Sequence, residues 1–422
     1  MIKIKNSKVA YNVLWNTIGS LFYLVCQWLL SVIVVHLSND SYADAGVLSL
    51  AMSISTFFSV ITLFNVRNYQ VSDAQGLYSS SEYVFHRILT CGVSLVLCAV
   101  FVLINSYDTL TSLSIIAYML VKLVEGFADV LHGVAQKQWR LDIAGKSFII
   151  RGILLVGAFS ASMALFKNLA IAILSMAIAT LIPLIFYDLL AVRRVESISL
   201  KANFKASLSL TKVCLPMVAY GACINAIVPL ARYFLELHHG EKVLGYYASV
   251  SAISVLIQAF VTFVFTPLIG IFEDAHSKGD KKAIAKLLLK LFGLLVGITA
   301  LAMLAVLFLG EFAMVLVFGE EIREYVYLLY PTIIASALTA LVWLLGMLLV
   351  VMRDSRTLLI GALCGFIVGL LIAIFTIRES KYTGTNASII LGFAIISIIY
   401  IIKFLIFFFK KSEQRSNTND GN

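Results

Sequence analysis

Residues Leu110–Gly133 read LTSLSIIAYMLVKLVEGFADVLHG. The run is long and apolar enough to span a bilayer, yet it carries Lys122, Glu125, Asp129 and His132. At about 100° per residue, these four and Tyr118 fall within an arc of roughly 80° on a helix. On a membrane-insertion scale a central charge costs about 2.5–3.5 kcal/mol, and each Leu, Ile, Val or Phe returns about 0.3–0.6. Eleven such apolar residues return roughly 3–7 kcal/mol, whereas Lys122, Glu125 and Asp129 cost up to roughly 7–10. Facing lipid, the helix would be marginal. The charged stripe must face protein or water, and ionisable residues at that depth mark a site of function by default.

The rest of the chain agrees with a membrane setting. It is 61% hydrophobic and 13% charged, with mean hydropathy +0.97, against about 45–50% and 25% in soluble domains. Twelve apolar runs stand out, at about 9–35, 43–65, 84–105, 110–133, 147–166, 168–190, 212–235, 244–270, 287–309, 326–352, 358–377 and 386–409. Each clears the roughly 17–25 residues needed to cross. Backbone groups in lipid require internal partners and nothing alternates with the period of a barrel, so all are helices.

The placement of Lys and Arg orients the chain. With the N-terminus inside, the inside segments hold 24 of them and the outside loops five, which sets both termini in the cytoplasm. The net charge of +9 is then a topology signal and gives no reason to expect nucleic acid. Counting divides the chain into a six-helix bundle (1–190), a basic cytoplasmic linker (191–211), a second six-helix bundle (212–409) and a polar tail (410–422) expected to be disordered. The short connections at Asn105–Thr109 and at Lys167 predict antiparallel neighbours for spans three and four and for spans five and six. The six Cys lie in or beside spans with no zinc or redox spacing. No cleavable leader is expected. No phosphate-binding Gly-x-x-x-x-Gly-Lys-Ser/Thr run occurs, and no metal, cofactor or nucleophile constellation suggests an enzyme.

Lys122 is the leading candidate. It reads as a fixed cation for an anionic head group, or as half of an ion pair with Glu125 one turn on. Glu125 and Asp129 would balance it or relay protons. His132 is expected to line an entrance or cap the helix. Arg232, near the outer end of span seven, either snorkels or offers a second cation, with Asn225 on nearly the same face and Pro229 between them. Arg151 and Arg67 read as cytoplasmic anchors or as ligands. Tyr118 and other aromatics would stack on sugars or belong to packing and interface belts. Pro216, Pro229, Pro267 and Pro331 lie in spans or at their ends, as hinges or static kinks. Span ten, the counterpart of span four, has no charge before Arg353, so polar work concentrates in the first half.

The run Lys122-Leu-Val-Glu125-Gly-Phe-Ala-Asp129-Val-Leu-His-Gly-Val-Ala-Gln136-Lys137-Gln-Trp-Arg140-Leu-Asp142-Ile-Ala-Gly-Lys146-Ser147 resembles the fourth span and following loop of Wzx-type polysaccharide repeat-unit flippases. These belong to the multidrug/oligosaccharidyl-lipid/polysaccharide exporter superfamily. Arg67-Asn-Tyr-Gln-Val-Ser-Asp73 resembles that family's loop after span two, and Arg232-Tyr-Phe-Leu with Leu244-Gly-Tyr-Tyr-Ala248 its junction of spans seven and eight. Many relatives place an acid before that arginine; here it is Ala231. The resemblance implies a V-shaped pair of six-helix bundles around a central cavity in a bacterial plasma membrane. It implies alternating access moving an undecaprenyl-pyrophosphate-linked oligosaccharide to the outer leaflet, for O-antigen or capsule synthesis. Lys122 would bind pyrophosphate or an acidic sugar, with Arg151 and Arg232 as secondary cations and Tyr118 and Asn225 beside them. Membrane lipids and a polysaccharide polymerase are the partners it admits. The rival is a Na⁺- or H⁺-coupled multidrug exporter of the same superfamily, with Glu125 and Asp129 as its cation site. A non-transporting scaffold would not need the charges of span four.

Overall fold

The structure, a computed structural model, describes residues 2–73, 75–198, 203–253 and 269–409. Among these residues it is built of helices without strands. Twelve spans follow the predicted order. Span one is Ile2–Leu37. Span two is Ser41–Leu63, continued after a break by the short helix Val66–Ser72. Span three is Ser80–Asn105, span four Thr109–Lys137 and span five Leu141–Phe166. Span six, Leu169–Pro183, runs on through a π-helical turn, Leu184–Asp188, into Leu189–Arg193. Span seven is Phe204–His239. Of the run expected as span eight, the helices Glu241–Ser251 and Ile269–Ser277 are described. Span nine is Lys281–Phe318; span ten, Leu329–Val351, is entered through the 3₁₀ segment Glu320–Leu328. Spans eleven and twelve share the continuous stretch Ser355–Phe409, divided at Lys381, whose φ of 43° and ψ of −115° are not helical. The middle of span eight with Pro267, part of the linker, and the tail 410–422 lie outside the described residues.

Local chemistry explains the boundaries. Asp108, Asn168, Asn203 and Asp280 cap spans four, six, seven and nine with side-chain oxygens on the first free N–H groups. Ser79 and Glu82 form a reciprocal capping box on span three. The tight turns predicted at Asn105–Thr109 and Lys167 are present, and spans three and four, and five and six, pack side by side. Outward faces carry residues such as Ile104 and Phe308, 76% and 78% exposed, as lipid contact requires.

Nine of the described helices are long and apolar enough to cross a membrane by themselves; Thr109–Lys137 is not among them. It packs against spans two, three and six, which keep its charged face from lipid. The opening expectation, that this stripe must face protein or water, holds.

The two ends of the bundle differ. The end that the charge bias assigns to the cytoplasm is basic, and the opposite end carries Asp40, Asp108, Glu241, Glu320 and Glu321. At this acidic end the halves meet closely. A Cβ on Gly46 would run into the Glu241 carbonyl, and one on Gly245 into that of Tyr42. Small residues thus let spans two and eight touch backbone to backbone. The Tyr42 hydroxyl donates to the Phe318 carbonyl across 2.7 Å, and Thr111 Oγ1 donates to Glu241 Oε1 across 2.8 Å. Tyr42, Tyr246 and Tyr325 stack in series, 4.2 Å between successive rings. At the basic end the first half meets the start of span seven, through His86 Nδ1 and Ser207 Oγ at 2.8 Å and Tyr78 and Ser209 hydroxyls at 2.7 Å.

Candidate functional site

A cavity of about 210 Å³ lies among spans one, two, four and five; Tyr23, Ser59, Lys122, Glu125, Asp129, His132 and Arg151 line it. Three carboxylates organise it. Glu125 Oε2 accepts from Lys122 Nζ at 2.8 Å, while Oε1 accepts from Gln27 Nε2 at 3.0 Å and from the Tyr23 hydroxyl. The ion pair anticipated between Lys122 and Glu125 is therefore present. It is also a bridge between helices, because Tyr23 and Gln27 stand one turn apart on span one. Lys122 Nζ sits 5.6 Å from the centre of the Tyr118 ring. Tyr118 is itself buried beneath the ammonium and does not line the cavity.

Asp129, one turn nearer the basic end, is clamped by two arginines. Arg67 Nη1 donates to Oδ1 at 3.1 Å, and Arg87 Nη2 donates to Oδ2 at 2.9 Å. Arg67 does not end span two. The helix breaks at Phe64 and Asn65, both left-handed with φ of 47° and 54°, and the short helix that follows turns Arg67 inward, where it also donates to Gln136 Oε1. Arg87 is fully buried and also donates to the Thr62 carbonyl.

Asp188 is the third carboxylate, and nothing in the sequence reading singled it out. It is fully buried on the π-helical turn after Pro183. Oδ2 accepts from Arg151 Nη2 and from the Ser147 hydroxyl, each at 2.9 Å, and Oδ1 accepts from His132 Nε2 at 3.1 Å. Two expectations change here. His132 neither caps span four nor sits at an entrance: it is 1% exposed and tied to span six. Arg151 is no headgroup anchor, being 1% exposed and paired. The missed signal was an acid five residues past a proline in an otherwise apolar run, since π turns recur at functional positions.

Arg232 borders a separate cavity of about 120 Å³ between the halves, among spans one, two, seven and eight. Its Nη1 reaches Ser49 and Ser53 hydroxyls at 3.4 and 3.5 Å, and its Nη2 reaches Ser251 Oγ at 3.0 Å. It turns inward to hydroxyls and does not snorkel. Asn225 lines neither cavity; its amide donates to the Gly221 carbonyl of its own helix at 2.7 Å. The candidates of the first half thus come together around Lys122, Arg232 stands apart, and Asn225 joins neither group. No cluster of His, Cys, Asp or Glu suited to a metal occurs among the described residues.

No family model matches the chain. The capsular polysaccharide biosynthesis protein CapF of Staphylococcus aureus is 25% identical over 316 residues, which cover 73% of this chain and 76% of that protein. Among solved structures, the inward-facing conformation of a multidrug resistance MATE family transporter of the MOP superfamily superposes with a TM-score of 0.67 at 12% identity, covering 94% and 98% of the two chains. Its outward-facing conformation gives 0.59 at 13%, covering 95% of each. The eukaryotic MATE transporter AtDTX14 gives 0.64 at 12%, also covering 95% of each. The resemblance stands: the chain has the twelve-helix fold of that superfamily, and its curated relative is a capsule biosynthesis protein.

Proposed function

We propose that this chain is a flippase for undecaprenyl-pyrophosphate-linked oligosaccharide repeat units, moving them by alternating access toward surface polysaccharide synthesis. The observation that carries the reading is Lys122, a cation held at mid-membrane depth in a cavity whose carboxylates are all engaged. Four cations, Lys122, Arg151, Arg67 and Arg87, stand against Glu125, Asp129 and Asp188. With His132 uncharged, the cluster keeps an excess of one positive charge, suited to an oxyanion entering a low-dielectric site.

Binding proceeds by exchange of partners. A phosphate oxygen displaces Glu125 from Lys122, and Glu125 retains the Tyr23 hydroxyl and the Gln27 amide as donors. Neither charge is stranded, which avoids the several kcal/mol that an unpaired buried ion costs. Asp129, held by two arginines, and Asp188, held by Arg151, Ser147 and His132, fix the positions of spans two to six around that exchange. The lipid tail remains in the bilayer. In this state the halves are sealed at the acidic end by the Gly46 and Gly245 contact and the tyrosine stack, so release on that side requires the seal to part.

The multidrug-exporter reading needs a carboxylate free to take a drug cation or a coupling ion. Glu125 is held by Lys122, Gln27 and Tyr23, and Asp129 by two arginines, which favours the anionic substrate. The deciding experiment reconstitutes the protein in liposomes with an undecaprenyl-pyrophosphate oligosaccharide and follows the rate at which glycan becomes accessible to an external glycosidase. A protein-dependent rate that Lys122→Ala abolishes is expected. A wild-type rate equal to that of empty liposomes, with an ion gradient imposed, would overturn the proposal.

A further inference from the structure

Of the cations that border a cavity, Lys122 and Arg151 each hold a carboxylate, whereas Arg232 meets hydroxyls alone among the described residues. Its Nε has no partner among the described residues. Ala231, the residue before it, is 0% exposed and brings no charge. Two further buried donors beside the same cavity are also unpartnered, Trp28 Nε1 and Ser249 Oγ, and Ser249 is 1% exposed. Orphaned buried polar atoms are rare in native folds and call for an explanation. Among the described residues others lie elsewhere, Arg87 Nε and Arg151 Nε with them, but these three border one cavity. Arg and the Trp indole only donate, so what completes them must accept hydrogen bonds, and the uncompensated guanidinium requires it to be negative.

The geometry points to an oxyanion subsite at Arg232, Trp28 and Ser249 that receives a carboxylate or phosphate group of the carried molecule; this rests on the flippase reading. About 120 Å³ admits one such group with several waters. The subsite is connected to Lys122: Gln27 lines this cavity and donates to Glu125. One side chain of span one therefore touches both sites. Two sources share this chemistry, the linker pyrophosphate and an acidic sugar.

The test uses the full chain in nanodiscs and three probes: undecaprenyl pyrophosphate without sugar, the same lipid with a neutral tetrasaccharide, and the same lipid with a tetrasaccharide bearing one hexuronate. Kd is measured by thermophoresis for wild type, Arg232→Gln and Trp28→Phe. A tenfold weakening by Arg232→Gln on all three probes assigns the subsite to pyrophosphate. Tenfold on the hexuronate probe alone assigns it to the glycan carboxylate. Trp28→Phe should follow the same pattern at about threefold. A change below twofold on every probe, with thermal unfolding unaltered, overturns the subsite while leaving the flippase reading standing. If Arg232→Gln fails to fold, Trp28→Phe carries the test, and its unchanged Kd on every probe overturns the subsite. Wild-type protein that binds none of the probes would remove the flippase reading and the subsite with it.

Discussion

Spans four and ten, counterparts by their order in the two halves, have opposite chemistry. Thr109–Lys137 carries Lys122, Glu125 and Asp129 within the membrane and reaches spans one, two, three and six through hydrogen bonds and ion pairs. Leu329–Val351 holds no charge, and its buried hydroxyls, Thr332, Ser336 and Thr339, donate to carbonyls one turn back along the same chain segment. The first half carries its charge pairs between spans around the cavity, whereas pairs of the second half, such as Lys403–Asp354 and Arg323–Glu311, lie at its ends. Charged pairs inside a bilayer are expensive to bury and costly to break, so the first half should lose far more when one partner is removed.

That contrast can be broken at several points. Lys122→Ala should reduce flipping to the rate of protein-free liposomes, with membrane insertion intact; a counterpart substitution in span ten, Ser336→Ala, should leave the rate within twofold. Asp188→Asn strands Arg151 and should cost about 3–5 kcal/mol of stability, visible as a lower thermal unfolding temperature in detergent. Normal stability of that variant would show that the Arg151 pair does not hold the first half together. Glu125→Gln removes the competitor for Lys122 and should tighten binding of undecaprenyl pyrophosphate several-fold while slowing turnover; weaker binding would contradict the exchange of partners. Gly245→Leu should pry the acidic end open. Labelling of a cysteine placed at Ser49, in a chain with its own cysteines replaced, by an impermeant maleimide added outside should then rise several-fold.

The smallest effect is expected in the second half. Lys403 bonds Asp354 across 2.6 Å at the basic end, the lysine 38% exposed, and Lys403→Ala should cost less than about 1 kcal/mol. Burial alone would raise the Asp354 carboxyl, but Lys403 and the Thr357 backbone and hydroxyl donors outweigh it and hold it below its ordinary value. A depressed carboxylate contributes stability above its unfolded pKa and loses it as pH falls through the folded one. The wild-type advantage over Lys403→Ala should therefore begin to shrink below about pH 4 and vanish once the pH falls through the lowered folded value.

How much of this could be read in advance follows from which forces are local. Hydropathy, caps and turns act within a few residues, so the helical class and the order of the spans were legible, as was the pairing of Lys122 with Glu125 one turn apart, whereas helices such as Phe204–His239 and Lys281–Phe318 run several residues past the expected 212–235 and 287–309. Arg67, Arg87 and Arg151 look in sequence like anchors at the edge of the membrane, and Asp188 looks like one acid near the end of an apolar run. Each is explained by a partner on another helix: Asp129 receives Arg67 and Arg87 from 62 and 42 residues away, and Asp188 receives Arg151 from 37. The break at Phe64 and Asn65 that turns Arg67 inward leaves little trace in residue type, because both are non-glycine residues in a left-handed conformation.

The sequence by itself determined that this chain crosses a membrane many times as helices and that span four cannot face lipid, because transfer free energies depend on composition along a single segment. Only the tertiary structure decided which charges neutralise one another. Among the described residues it left Arg232, Trp28 and Ser249 with donors unanswered, because Coulomb and hydrogen-bond energies depend on distances between helices that no local pattern encodes.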